Sequence, residues 1–172
     1  SQKALACHPG ISIIALSPKA QNRVRSIPER CKYLSLKEAL SNGERGQTPW
    51  TPAVTTILEI ADRLKNIERT GIEGERNRIS ERAKAVRLAL AETSLRMVPQ
   101  HPSNAVSAFY CPSHNAKAVI DKARESYGIW LCPNGGAYAN DVFRIGHIGN
   151  ISDENNRYLT KVLISMMEDG LY

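Results

Sequence analysis

Between residues 95 and 167, four short apolar runs share the chain with two stretches of helical periodicity, and their order leaves few folds open. Residues 95–98 and 105–111 read as strands around the loop 99–104. Residues 115–126 read as a helix begun by Ser113 and ended at Gly128, and 129–132 as a strand stopped by Pro133. The turn Asn134-Gly135-Gly136 follows, then a strand over 142–146. Ser152 starts a last helix to about residue 167, with Leu159, Val162, Leu163 and Met166 facing a core. This order implies a small sheet with helices packed on one face, an α+β layer.

Upstream the pattern is mostly helical. Ala53, Ile57, Ile60, Ala61, Leu64 and Ile67 keep the 3.6-residue period and predict a long amphipathic helix to about residue 68. Thr51 and Pro52 suit its N-cap and first position. Gly71 and Gly74 interrupt the pattern, and a second helix over about 75–92 carries Ile79, Ala83, Val86 and Leu90 on one face. Two helices parted by glycines mark a domain junction near 68–74, dividing the chain into 1–68 and 69–172. Nearer the start, 18–25 and 35–41 read as short helices, the second capped by Ser35 and closed by Asn42-Gly43. The run 11–16, Ile-Ser-Ile-Ile-Ala-Leu, lies between Pro9-Gly10 and Ser17-Pro18 and reads as a buried strand.

Composition removes several classes. With 42% hydrophobic and 23% charged residues, the chain is neither disordered nor collagen-like nor a coiled coil. No apolar run approaches the roughly 18 residues of a membrane-spanning helix, so no membrane partner is expected. The net charge of +6 is concentrated at the front, where residues 1–40 hold seven basic and two acidic groups. Those cations are not interleaved with aromatics and no nucleic-acid module occurs, so nucleic acid is not expected either. Residues 61–90 mix eight basic with five acidic side chains, as solvated helix faces do. Cys7, Cys31, Cys111 and Cys132 form no C-x-x-C and no histidine pair has ligand spacing, so no metal is expected. Reduced thiols in a cytoplasmic protein are the simplest reading.

Three local features carry chemistry. Lys3, in Ser1-Gln2-Lys3, stands shortly before the apolar run; it is either an ordinary exposed lysine or an amine placed to attack a carbonyl. Arg144 sits inside the apolar strand Val142-Phe143-Arg144-Ile145-Gly146, followed by His147-Ile148-Gly149-Asn150. It is either an edge-strand arginine reaching for water or a fork aimed at a carboxylate, with glycines leaving room for a ligand. His147 is offset so as to lie on the other strand face, and reads as structural. Gln47-Thr48-Pro49-Trp50-Thr51-Pro52 is either a stiff linker or a loop whose Thr48 hydroxyl meets a phosphate near a helix N-terminus.

Ser-Gln-Lys-Ala-Leu-Ala-Cys-His-Pro-Gly-Ile-Ser-Ile-Ile-Ala-Leu-Ser resembles the Schiff-base lysine segment of class V pyridoxal-phosphate-dependent aminotransferases, in the alanine–glyoxylate and serine–pyruvate branch. Gln-Thr-Pro-Trp-Thr-Pro-Ala resembles the same family's Thr-Pro loop, and Phe-Arg-Ile-Gly-His-Ile-Gly-Asn its substrate-arginine motif. The three occur in the family's order across the whole chain. The resemblance implies the C-terminal part of a fold-type I transferase: 1–68 the end of the large cofactor-binding domain with the interdomain helix, 69–172 the small α+β domain. It implies pyridoxal 5′-phosphate as cofactor, a small amino acid and a 2-oxo acid as substrates, and a homodimer.

Residue by residue, Lys3 matches the lysine that holds the cofactor, and Gln2 a neighbour touching its phosphate. Thr48 matches a threonine reaching the phosphate of the other subunit, and Arg144 the arginine that takes the substrate α-carboxylate. Two positions depart from the pattern: His8 replaces a proline often found before the glycine, and Arg45 a tyrosine of some relatives. The resemblance begins at the lysine, so the ring-stacking aromatic, the aspartate facing the pyridine nitrogen and the main phosphate loop have no counterpart in these residues. The 172 residues alone are therefore expected to be inactive, and the 11–16 strand edge to self-associate or leave the first third disordered. A non-catalytic α+β binding or dimerisation module remains the rival reading, and a lyase or cysteine desulfurase relative the alternative enzyme.

Overall fold

The computed structural model describes residues 1–172, which divide into two compact units, Ser1–Lys65 and Asn66–Tyr172.

In the first unit, α1 (Pro18–Ser26) begins where the Ser17 hydroxyl accepts from the Ala20 amide at 3.2 Å. Ser35 caps α2 (Leu36–Glu44) in the same way, its Oγ 3.0 Å from the Glu38 amide. Asn42 and Gly43 lie inside α2 rather than closing it, and the chain turns at Gly46, whose φ of 70° suits glycine. The long helix α3 (Val54–Thr70) starts two residues after Pro52, so Thr51 is not its cap. The run 11–16 is not a strand but irregular backbone, with Ile13 and Ile14 67% and 61% exposed. A strand needs a neighbour to pair its amides and carbonyls. The unit has no other strand. Its core is correspondingly thin: Ile60, still 7% exposed, is its one buried hydrophobic side chain.

The second unit holds nearly all of the core. α4 (Ile72–Ala89) follows a break at Gly71, where φ is 73°, and takes Gly74 into its first turn. Next come β1 (Arg96–Met97), β2 (Val106–Tyr110), α5 (Ala116–Tyr127), β3 (Cys132–Pro133), β4 (Val142–Gly146) and α6 (Asp153–Glu168). The strands form one antiparallel sheet in the order β1-β2-β4-β3. β4 matches its expected bounds, whereas β3 shares only Cys132 with the expected run 129–132 and includes Pro133, paired with Phe143, instead of stopping before it. Gly128 ends α5 in the left-handed region and the Ile129 amide returns to the Ala123 carbonyl at 2.9 Å, so Ile129 serves the helix end instead of the sheet.

Strand alternation sorts the sheet into two faces. Phe109, Phe143 and Ile145 point to one side and join a single buried cluster with Val86 and Leu90 of α4, Val119 of α5, and Leu163 and Met166 of α6. The Phe109 and Phe143 rings pair across the strands at 6.0 Å. All three helices therefore cover one face, as the sequence order implies. The other face carries the cross-strand row Ala108, Arg144 and Cys132, none of them fully buried. No helix of the chain is long and apolar enough to cross a membrane.

Candidate functional site

Arg144 stands in the middle of that open face. β4 is flanked by β2 on one side and β3 on the other, so it is not an edge strand, and the arginine does not simply lean off a margin into water. Its Nη2 donates to the Pro133 carbonyl at 2.8 Å, which ties the guanidinium to β3. Its Nε is buried without any partner. A buried N–H left unpaired costs free energy unless an acceptor meets it, and a carboxylate is the acceptor that a planar guanidinium fits in a bidentate manner. Ala108, opposite on β2, is the small neighbour that leaves space beside the fork.

Lys3 and Gln2 share an exposed turn in the first unit. The Ala6 amide donates to the Lys3 carbonyl at 3.0 Å and the Cys7 amide to the Ser1 carbonyl at 3.2 Å, with Ala6 at a φ of 54°. The turn is fastened to α3 by His8, whose amide donates to Glu59 Oε2 at 2.9 Å and whose Nδ1 lies 2.6 Å from Oε1. These contacts, the amide bond first, hold the Glu59 carboxyl below its ordinary range. The departure at His8 thus has a local task, pinning the lysine turn to the helix. The Lys3 amine itself makes no hydrogen bond or ion pair and is open to a carbonyl.

Thr48 occupies a separate loop of the same unit. Its hydroxyl donates to the Trp50 carbonyl at 2.7 Å, while the Trp50 indole donates to the Tyr33 carbonyl at 3.3 Å. Arg45 donates to Asn42 Oδ1 at 2.5 Å, so the second departure is engaged at the end of α2. A cleft of about 600 Å³ in this unit is lined by Arg23, Ile27, Arg30, Cys31 and Lys37, and includes none of Lys3, Gln2 and Thr48.

His147 lies fully buried on the helix-covered side, opposite Arg144. Its Nε2 is 2.8 Å from Ser107 Oγ, which also accepts from Arg87 Nε at 2.9 Å. Burial, then the charges of Arg87 and Arg82, push its pKa down to about 4. Ser107, Arg82 and Arg87 carried no signal in the sequence, because they stand 40 or more residues from the groups they meet on β4 and beyond, or, for Arg87, 20 residues from Ser107.

The profile for aminotransferase class I and II matches residues 30–163. The chain belongs to this family. It is 29% identical over 157 residues to the L-aspartate–glyoxylate aminotransferase of Paracoccus denitrificans, a match covering 89% of this chain and 40% of that enzyme. Over 158 residues it is 29% identical to the serine–glyoxylate aminotransferase of Arabidopsis thaliana, covering 89% and 39%. Among solved structures, the subgroup IV aspartate aminotransferase of Thermus thermophilus superposes with a TM-score of 0.86 at 28% identity, over 98% of this chain and 47% of that one. The chain spans about two fifths of the length of the curated relatives it matches. Enzymes of this aminotransferase family depend on pyridoxal 5′-phosphate. The helix-backed four-stranded sheet is the family's C-terminal portion.

Proposed function

We propose that this chain supplies the cofactor lysine and the substrate arginine of an aminotransferase that moves an amino group from a small amino acid to a 2-oxo acid such as glyoxylate or pyruvate. The observation that carries the reading is the Arg144 guanidinium, held by β3 on the open sheet face with a buried, unpaired Nε.

The residues fit the cofactor by their chemistry. Lys3 offers a primary amine on an exposed turn with no competing partner, the group an aldehyde requires, and Gln2 beside it offers a carboxamide donor for a phosphate oxygen. For Thr48 to reach a phosphate of the partner subunit, its proton has to leave the Trp50 carbonyl. When bound, pyridoxal phosphate supplies an electron sink for the charge left at the substrate Cα. The chain's own residues do the rest. Arg144 fixes the α-carboxylate and so sets which bond at Cα is presented for cleavage. The Lys3 amine, once free, takes the Cα proton and later returns it.

In this reading, residues 1–68 belong to the large cofactor-binding domain and the interdomain helix, 69–172 form the small domain, and the enzyme works as a homodimer. The chain alone turns over negligibly. The four free thiols fit a reducing cytoplasm.

The test is amino transfer by the holoenzyme that carries this chain, with alanine, serine or aspartate as donor and glyoxylate or pyruvate as acceptor. The reading expects new amino acid from at least one pairing and its loss in Lys3→Ala. No transfer with any pairing contradicts it.

A further inference from the structure

The most extensive polar network of the second unit lies behind the sheet, on the face away from Arg144. Arg87 of α4 donates from Nε to Ser107 Oγ at 2.9 Å, from Nη2 to the Ser103 carbonyl at 2.5 Å and from Nη1 to Asn104 Oδ1 at 3.3 Å. Five residues earlier on α4, Arg82 donates from Nη1 to the His147 carbonyl at 2.7 Å and from Nη2 to the Ile151 carbonyl at 2.5 Å. Between them sits His147, its amide bonded to the Ala105 carbonyl at 2.9 Å and its Nε2 2.8 Å from Ser107 Oγ.

Arg87 can only donate, so it occupies one acceptor position of Ser107 Oγ. The hydroxyl keeps its own proton and a second lone pair, so it meets Nε2 of His147 in either tautomer, while Nδ1 has no partner. A second ring proton would add a buried cation that the Arg87 and Arg82 charges oppose. The imidazole is therefore held neutral.

The consequence falls on β4. Ser107 is paired with Ile145, the residue next to Arg144, and His147 follows three residues after Arg144. We propose that His147, through the Arg87–Ser107–His147 chain of hydrogen bonds, is the positioning residue that holds the end of β4 on α4 and so fixes the Arg144 guanidinium on the opposite face. The inference rests on the reading of Arg144 as the carboxylate anchor.

Two measurements test it. In the holoenzyme without amino acid, the Arg144 Nε–H is followed by ¹⁵N NMR: slow exchange with water is expected in the wild type and at least about tenfold faster exchange in Ser107→Ala and His147→Leu. In the holoenzyme, both variants raise the KM for the amino acid about tenfold, the effect of losing about one charge-assisted hydrogen bond, with kcat within about twofold. The double variant goes no further, because the two act as one unit. His147→Gln, whose carboxamide can meet Ser107 Oγ as donor or acceptor, recovers most of the loss. Ser107→Ala carries the test if His147→Leu does not fold. A lowered melting temperature with unchanged exchange and unchanged KM overturns the proposal. If Arg144→Lys also leaves KM unchanged, the carboxylate reading has failed instead.

Discussion

Arg144 Nη2 donates to the Pro133 carbonyl at 2.8 Å, so the guanidinium is oriented by the neighbouring strand before any ligand arrives. One donor of the guanidinium is thereby spent on the protein and the buried Nε has no partner; in the proposed function that Nε is left for the carboxylate. Arg144→Ala should raise the KM for the amino donor by about 10- to 100-fold, the range for a hydrogen bond to a charged group. Arg144→Lys should recover only part of it, because an ammonium cannot offer the planar fork. Steady-state kinetics with the holoenzyme decide this; a KM within twofold of wild type in both variants counts against the assignment.

Acid should weaken the second unit through His147. Its imidazole titrates near the ordinary 6.5 when unfolded and at about 4 when folded, so between those values the unfolded chain binds the extra proton. Stability is complete above about pH 6.5 and falls as the pH drops towards 4, by on the order of 2–3 kcal/mol from this group. Urea unfolding at pH 7 and pH 4.5 should show a larger loss for the wild type than for His147→Gln. Equal losses would mean that the imidazole does not carry the effect.

The first unit should self-associate when the 172 residues are prepared alone. Ile13 and Ile14 are 67% and 61% exposed, Leu34 is 76% exposed, and Ile60 is the only buried hydrophobic residue there. Apolar surface of that kind seeks cover. Light scattering should find species larger than a monomer, and Ile13→Lys with Ile14→Lys should shift them towards monomer. A monodisperse monomer in the parent chain would contradict the expectation.

How much of this was legible in the sequence differs between the two units. β4 and α6 were readable because their alternation and their cap, with Ser152 Oγ accepting from the Asn155 amide at 3.0 Å, are local. The 11–16 run was not. Its β-branched residues favour a strand, but a strand exists only with a partner, and nothing in a local pattern shows whether one is present. The shortened β3 has a similar origin: the Ile129 amide is claimed by the end of α5, a bond that depends on Gly128 turning left-handed. At the site, Arg144 stood out as a charge inside an apolar run. The Ser107–His147–Arg87 network did not, since residues 20 to 65 positions apart meet only once α4 packs on the sheet.

The central group of the proposed function is the Lys3 amine, which the structure leaves on an exposed turn with no partner of its own. Its most direct test is borohydride reduction of the holoenzyme in the presence of pyridoxal 5′-phosphate, followed by peptide mapping. Bleaching of the yellow protein and a single pyridoxyl adduct on Lys3 are expected. An adduct confined to other lysines, such as Lys19 or Lys32, or no adduct under conditions that label a known aminotransferase, would contradict the proposed function.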